Sequence, residues 1–152
     1  MSIFLIRHAS AGRRTVGGND IERPLDARGL DQAVRIADAL DSANIDVVLT
    51  SPAVRCRQTV EPLAKIHGVE IELSDELWEG QGGRGALAIA QRLAAADTCA
   101  ALCSHGDVIP RLLDLLVAME VPLLGSGCAK GSIWALDTDQ GTIASGRYQP
   151  QP

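Results

Sequence analysis

Two histidines in this sequence stand where an anion could be held: His8, directly after Arg7, and His105, directly before Gly106. A further basic pair, Arg55 and Arg57, follows Ser51-Pro52. Imidazole can accept a phosphoryl group only while it is neutral and fixed in one tautomer, and neighbouring cations help by disfavouring imidazolium and lowering its pKa. Arginine suits that task because its planar fork of donors matches two phosphate oxygens at once, which a lysine cannot do. At about 4 Å and an effective dielectric near 20, one such cation attracts an anion by roughly 4 kcal/mol before desolvation is subtracted. These residue types suit phosphoryl transfer, in which a neutral His8 would stand in the field of Arg7 and Arg55, although an isolated histidine is more often a surface or satisfied core residue.

The elements that must position them are readable from hydrophobic period and punctuation. Ile3 to Ile6 is a short apolar run that stops at Arg7-His8, which predicts a buried strand whose carboxyl end emerges at a site. Gly12 to Asp20 reads as a loop. With Asp26 as cap, Leu30, Ala33, Val34, Ala37 and Leu40 recur at helical spacing and predict a helix over 27–42. A second strand is expected over 45–50, then a helix to His67 with Ser51 as its cap and Pro52 at its first position, which places Arg55 in the first turn. Strands are expected over 69–73 and 98–104, the latter ending at His105, with helices ending near Ala96 and spanning 109–119. A closing hairpin is expected from 132–136 and 142–146 across Asp137 to Gly141. Alternating strands and helices predict a layered α/β/α fold around a mostly parallel sheet, whose ligands bind beyond the carboxyl ends of the strands. Both histidines and Arg55 belong to that edge.

The segments FLIRHAS, SPAVRCRQT, ELWEG and CSHGD, in this order and spacing, resemble the histidine phosphatase superfamily, or phosphoglycerate mutase-like family, over nearly the whole chain. The similarity is to its small, cap-less branch, that of SixA-type phosphohistidine phosphatases and of the C-terminal domain of mycobacterial MutT1 proteins, which share RCxQTxEPLA-like and KGSxW-like stretches. The resemblance implies a phosphatase acting through a phosphohistidine intermediate on His8. It implies that His105 donates a hydrogen bond to the transferring phosphoryl, and that Glu79 protonates the leaving oxygen, with Glu76 and Asp107 as rivals. Ser10, and one of Arg13 and Arg14, are candidates for touching phosphate or the substrate's tail, or else are loop residues facing solvent. Gly106 admits phosphate close to the backbone or simply serves the turn. The family's usual glycine after the first histidine is Ala9 here, acceptable if that position needs no positive φ. Without the insertions that cover a sugar phosphate in the mutases, the site is expected to be open. A mutase and a non-catalytic phosphate- or phosphoprotein-binding module are the alternatives.

Composition narrows the rest. The 152 residues suit one domain, no apolar run nears the roughly 18 residues of a membrane span, and no signal peptide is evident, so a soluble, cytoplasmic protein is expected. A formal charge of −5 argues against nucleic acid as a partner and for a phosphorylated small molecule or a phosphohistidine-bearing protein. None of Cys56, Cys99, Cys103 and Cys128 has an arginine six positions on, as a thiol phosphatase requires; those places hold Pro62, His105, Ile109 and Trp134. The cysteines are therefore expected to be buried, reduced thiols. Gly80, Gly82 and Gly85 form a lone G-x-G-x-x-G away from the first strand–helix unit, and Asp137 and Asp139 are assigned to the hairpin turn. No cofactor or metal is expected, since the three histidines lack ligand spacing. His67 is read as complementing a helix dipole and Arg57 as a surface residue.

Overall fold

The computed structural model describes residues 1–14 and 16–152. Seven strands form one sheet: β1 (Ser2–Arg7), β2 (Val47–Thr50), β3 (Ile71–Leu73), β4 (Ala100–Ser104), β5 (Leu123–Leu124), β6 (Ile133–Asp139) and β7 (Thr142–Gln149). Their order is β3-β2-β4-β1-β6-β7-β5. β3, β2, β4 and β1 run parallel, β6 is antiparallel to both neighbours, and the two-residue β5 pairs parallel with β7. Four α-helices cover the sheet: α1 (Ala27–Ala39), α2 (Val54–His67), α3 (Arg84–Ala95) and α4 (Val108–Ala118).

Strand alternation sorts the core into two layers. Ile3 and Leu5 of β1 pack with α3 and α4, while Phe4 and Ile6 face α1 and α2. A strand buried on both faces must be apolar at every position, which is why 3–6 reads as an unbroken run. The two helices that follow β1 and β2 lie on one face, and those that follow β3 and β4 on the other. The carboxyl ends of adjacent β1 and β4 therefore flank a crevice from which connections leave to opposite sides.

Local chemistry sets the helix starts. Asp26 caps α1 by accepting from the Gly29 amide at 2.8 Å, and its other oxygen accepts from the Ser10 hydroxyl at 2.8 Å. Gly29 is needed there: a Cβ would lie 1.9 Å from the Ser10 carbonyl oxygen, so the helix can press onto the loop after β1 only without a side chain. The buried stripe of α1 is Ala33, Ile36 and Ala37, with Leu40 at its end; Leu30 and Val34, expected on that stripe, are half exposed.

Other expectations are corrected. Helix α2 begins at Val54 with Ala53 as cap residue, so Pro52 precedes the helix. Ser51 is buried, and its hydroxyl contacts His105 as well as accepting from the Ala53 amide. β6 runs on to Asp139 and β7 to Gln149, so the turn is Gln140-Gly141, whose φ values of 49° and 78° fit a tight two-residue hairpin. Asp137 and Asp139 are strand residues, and Asp137 accepts from the Ser2 hydroxyl. His67 does more than face a dipole: its Nε2 bonds the Leu40 carbonyl, tying the ends of α1 and α2 together. No helix among the described residues is long and apolar enough to cross a membrane.

Candidate active site

β1 ends in Arg7 and delivers His8 beyond the sheet, where the His8 amide donates to the Ser104 carbonyl at 3.0 Å and so links the ends of β1 and β4. The next amide, of Ala9, donates to the Thr59 hydroxyl, and that hydroxyl donates to the Arg55 carbonyl. Ala9 is fully buried and has no positive φ, so alanine in place of glycine costs this turn nothing.

His8 is 4% exposed, and its Nδ1 lies 2.8 Å from the Ala9 carbonyl oxygen. A carbonyl only accepts, so Nδ1 carries the proton and Nε2 keeps its lone pair. The pKa is lowered to about 3, mainly because burial disfavours the charged form; the Ala9 carbonyl opposes the shift, and His105, Arg55 and Arg7 add to it. The sequence reading credited the arginines with this effect, but desolvation is the larger cause.

Arg55, two residues into α2, is fully buried. Its Nη1 donates to the Asp20 carbonyl at 2.8 Å, and its Nη2 is 3.3 Å from His105 Nδ1. Because guanidinium has no acceptor, His105 presents Nδ1 as an acceptor in this arrangement, and its Nε2–H donates to Ser51 Oγ at 2.8 Å. Trp78 packs edge-on against His105, with ring centroids 5.2 Å apart, and sits beneath the Arg55 guanidinium. The two histidine rings are 5.4 Å apart. Arg7 donates from Nη1 to the Cys128 carbonyl at 2.6 Å and lies flat over Gly106. A Cβ on Gly106 would meet the Arg7 Cζ at 2.6 Å, so this glycine makes room for the guanidinium. Among the described residues, the Nε atoms of Arg7 and Arg55 are buried donors with no protein acceptor.

The rim is ionic. Glu79 receives Arg14 Nη2 at 3.0 Å and stands 3.6 Å from Arg55 Nη2. Asp20, which no sequence motif marked, approaches Arg55 Nη2 with Oδ2 at 3.2 Å, within ion-pair range but without hydrogen-bond alignment, and takes Arg23 Nε on Oδ1 at 3.0 Å. Arg23 also donates from Nη1 to the Gly12 carbonyl. Arg13 and Arg14 line a cleft of about 470 Å³ with Asp20, Glu22 and Arg23.

The structure thus brings Arg7, His8, Arg55, His105 and Glu79 to one edge, and it engages the other candidates in contacts of their own. The Ser10 hydroxyl, expected as a candidate for phosphate contact, instead donates to Asp26, the residue that caps α1. Glu76 is exposed and bonded to Ser74. Asp107 accepts from the Gly80 amide with one oxygen, and its other is buried without a partner. Arg57 faces solvent near Glu61. All four cysteines are free; Cys56, Cys99 and Cys103 are buried, and Cys128 is partly so. Cys56 Sγ lies 3.5 Å from His105 Nε2. Asp20 and Arg23 carry no signal in the sequence, and the roles of Ser51, Thr59 and Trp78 arise only when distant segments meet.

Residues 3–86 match the Histidine phosphatase superfamily (branch 1), and the chain belongs to that family. Along 99% of its length it is 30% identical to an 8-oxo-(d)GTP phosphatase of Mycolicibacterium smegmatis, of which it covers 48%. It is also 36% identical, over 52% of its length, to a protein described as a phosphoglycerate mutase, GpmB, of Photorhabdus laumondii, covering 38% of it. The chain therefore spans about half or less of these curated relatives. Among solved structures, the protein histidine phosphatase SixA with tungstate superposes with a TM-score of 0.77 at 23% identity, covering 99% of this chain and 96% of that one. A protein assigned as a SixA phosphohistidine phosphatase, from Agrobacterium tumefaciens, gives 0.74 at 27% identity, with 98% and 95% covered. The expected layered α/β/α, phosphoglycerate mutase-like fold is the one observed.

Proposed function

We propose that this protein is a phosphatase that hydrolyses a phosphomonoester or a protein phosphohistidine through a phosphohistidine intermediate on His8. The observation that carries the reading is the buried, neutral His8 with its Nε2 lone pair free, facing two arginines whose Nε donors lack protein acceptors among the described residues. Nε2 attacks phosphorus in line, the Nε2–P bond forms, and the bond to the leaving atom breaks. Water then attacks phosphorus, the P–Nε2 bond breaks, and orthophosphate leaves. Arg7 and Arg55 hold the equatorial oxygens as their charge develops, in a setting where such contacts are worth most.

His105 takes part if its proton moves to Nδ1, which Ser51 permits because a hydroxyl that accepts from Nε2–H can turn and donate to Nε2 instead. Glu79, paired with Arg14 and 3.6 Å from Arg55, is the residue assigned here to protonate the leaving oxygen. One of Arg13 and Arg14, which line the cleft beside Asp20 and Arg23, contacts the substrate beyond its phosphoryl group.

A phosphohistidine protein is the preferred substrate, supported by the likeness to SixA-type proteins and by the family membership. The test is phosphate release from phosphohistidine protein, nucleotides and simple esters, combined with a denaturing alkaline quench during turnover, since the P–N bond survives base. Label recovered on His8 as an acid-labile phosphoramidate is expected. Turnover without labelled enzyme, or isomer formation without phosphate release, would reject the mechanism.

A further inference from the structure

Arg55 already has an anion beside it. Asp20 brings a carboxylate oxygen to 3.2 Å from Nη2 and gives its backbone carbonyl to Nη1 at 2.8 Å, while Glu79 stands at 3.6 Å on the same nitrogen. This is the guanidinium that also reaches His105, so a phosphoryl group bound between the histidines needs the same donor. Asp20 is held there by its neighbours rather than by chance: Arg23 grips both Asp20 Oδ1 and the Gly12 carbonyl, and Asn19 caps the short turn 20–22 by accepting from the Ile21 amide. Burial alone would raise the Asp20 pKa, but Arg55, Arg23 and Arg14 outweigh it and hold the acid below its ordinary value, so the carboxylate is charged.

We propose that Asp20 is a charge-selecting residue: it is the resident anion of Arg55, which an incoming phosphoryl group must displace, and it penalises substrates that bring further negative charge. The proposal rests on the phosphatase reading and adds to it a preference for phosphoryl groups on uncharged or cationic leaving groups over nucleoside polyphosphates. Its signature is a matter of sign. A residue that merely supports the pocket weakens anion binding when replaced, whereas a competing anion strengthens it.

The variant is Asp20→Asn, which keeps an oxygen for Arg23 Nε and leaves the backbone carbonyl on Arg55. Inhibition by orthophosphate is measured on the full chain during hydrolysis of p-nitrophenyl phosphate, and orthophosphate binding is measured directly by calorimetry. The expected result is a roughly tenfold lower Ki and Kd for orthophosphate, equivalent to about 1.4 kcal/mol. Selectivity should also shift toward a nucleoside diphosphate over p-nitrophenyl phosphate. Asp20→Glu, which retains the charge, should stay near the parent value. Unchanged or weaker phosphate binding by a folded Asp20→Asn protein overturns the proposal, and so does failure of both Asp20→Asn and Asp20→Ser to fold. If the parent protein binds orthophosphate but releases none from any substrate, the phosphatase reading fails while the calorimetric comparison still judges Asp20.

Discussion

The floor and the rim of the site are built on different principles. On the floor, His8, Arg55 and His105 are at most 4% exposed, and each is tied to backbone or to a buried side chain: His8 to Ala9, Arg55 to the Asp20 carbonyl, His105 to Ser51. On the rim, Arg14, Asp20 and Glu79 hold one another through ion pairs, and the Arg14 side chain is 64% exposed. Buried contacts of the first kind fix geometry, whereas exposed pairs of the second kind are worth about 0–1 kcal/mol and rearrange readily. Under the proposed function the floor serves the bond-making step, and the rim the choice of phosphoryl group.

The comparison is broken most decisively at the floor. His8→Ala should lower turnover by roughly 10⁴-fold or more, because no other group in the site replaces the nucleophile. Near-normal turnover with an intact circular dichroism spectrum would sink the assignment. Arg55→Lys keeps a charge but loses the fork, and kcat should fall by roughly 10²-fold or more with the melting temperature little changed. A variant within a few-fold of the parent would reduce Arg55 to a source of charge.

The rim should respond in a substrate-dependent way. Glu79→Gln should slow alkyl phosphates, whose leaving oxygen is basic, by roughly 10²-fold, and leave phosphohistidine or aryl phosphates almost unaffected. Equal losses on both would make Glu79 a support for Arg14 and Arg55, and no loss on either would pass the acid role to Asp107 or solvent.

The smallest effect is thermodynamic and returns to the floor. The folded pKa of His8, about 3, lies below its ordinary 6.5, so in that interval the unfolded chain binds a proton that the folded chain refuses. Stability contributed by this site is therefore lost as pH falls through that window and regained as it rises. Near about pH 4.5 the penalty is about 2–3 kcal/mol, and His8→Asn should remove it. Urea melts of the two proteins at neutral and acid pH should show the parent losing more; parallel losses would mean that His8 is more hydrated than its burial implies.

How much could be read beforehand follows the same division. Arg7, His8 and His105 were legible because an apolar run that ends in a charged residue marks a strand reaching a sheet edge, and Arg55 because a proline marks the start of the next helix. The role of Ser51 was misjudged because Ser-Pro fits a helix cap, and only the fold shows His105 arriving from β4 to claim the hydroxyl. Leu30 and Val34 looked like core because period alone does not say how wide the buried stripe is. Asp20 was invisible, as a loop carboxylate gains meaning only from the guanidinium 35 positions later that it meets in space.

The sheet's outer strands have a consequence of another kind. β3 has three residues and β5 two, and β5 pairs only with Gly146 and Arg147 of the eight-residue β7, so the sheet is short at its β3 edge while β7 keeps most of its outer ladder without a strand partner. Long open edges are templates on which a second chain can add a strand, and short ones withhold the template. Leu73 and Leu124 are exposed at these edges, 56% and 70% respectively, yet each sits on a strand too brief to propagate pairing. Strand addition is therefore disfavoured at β3, whereas on the other side the template lies on β7 beyond the two residues that β5 covers.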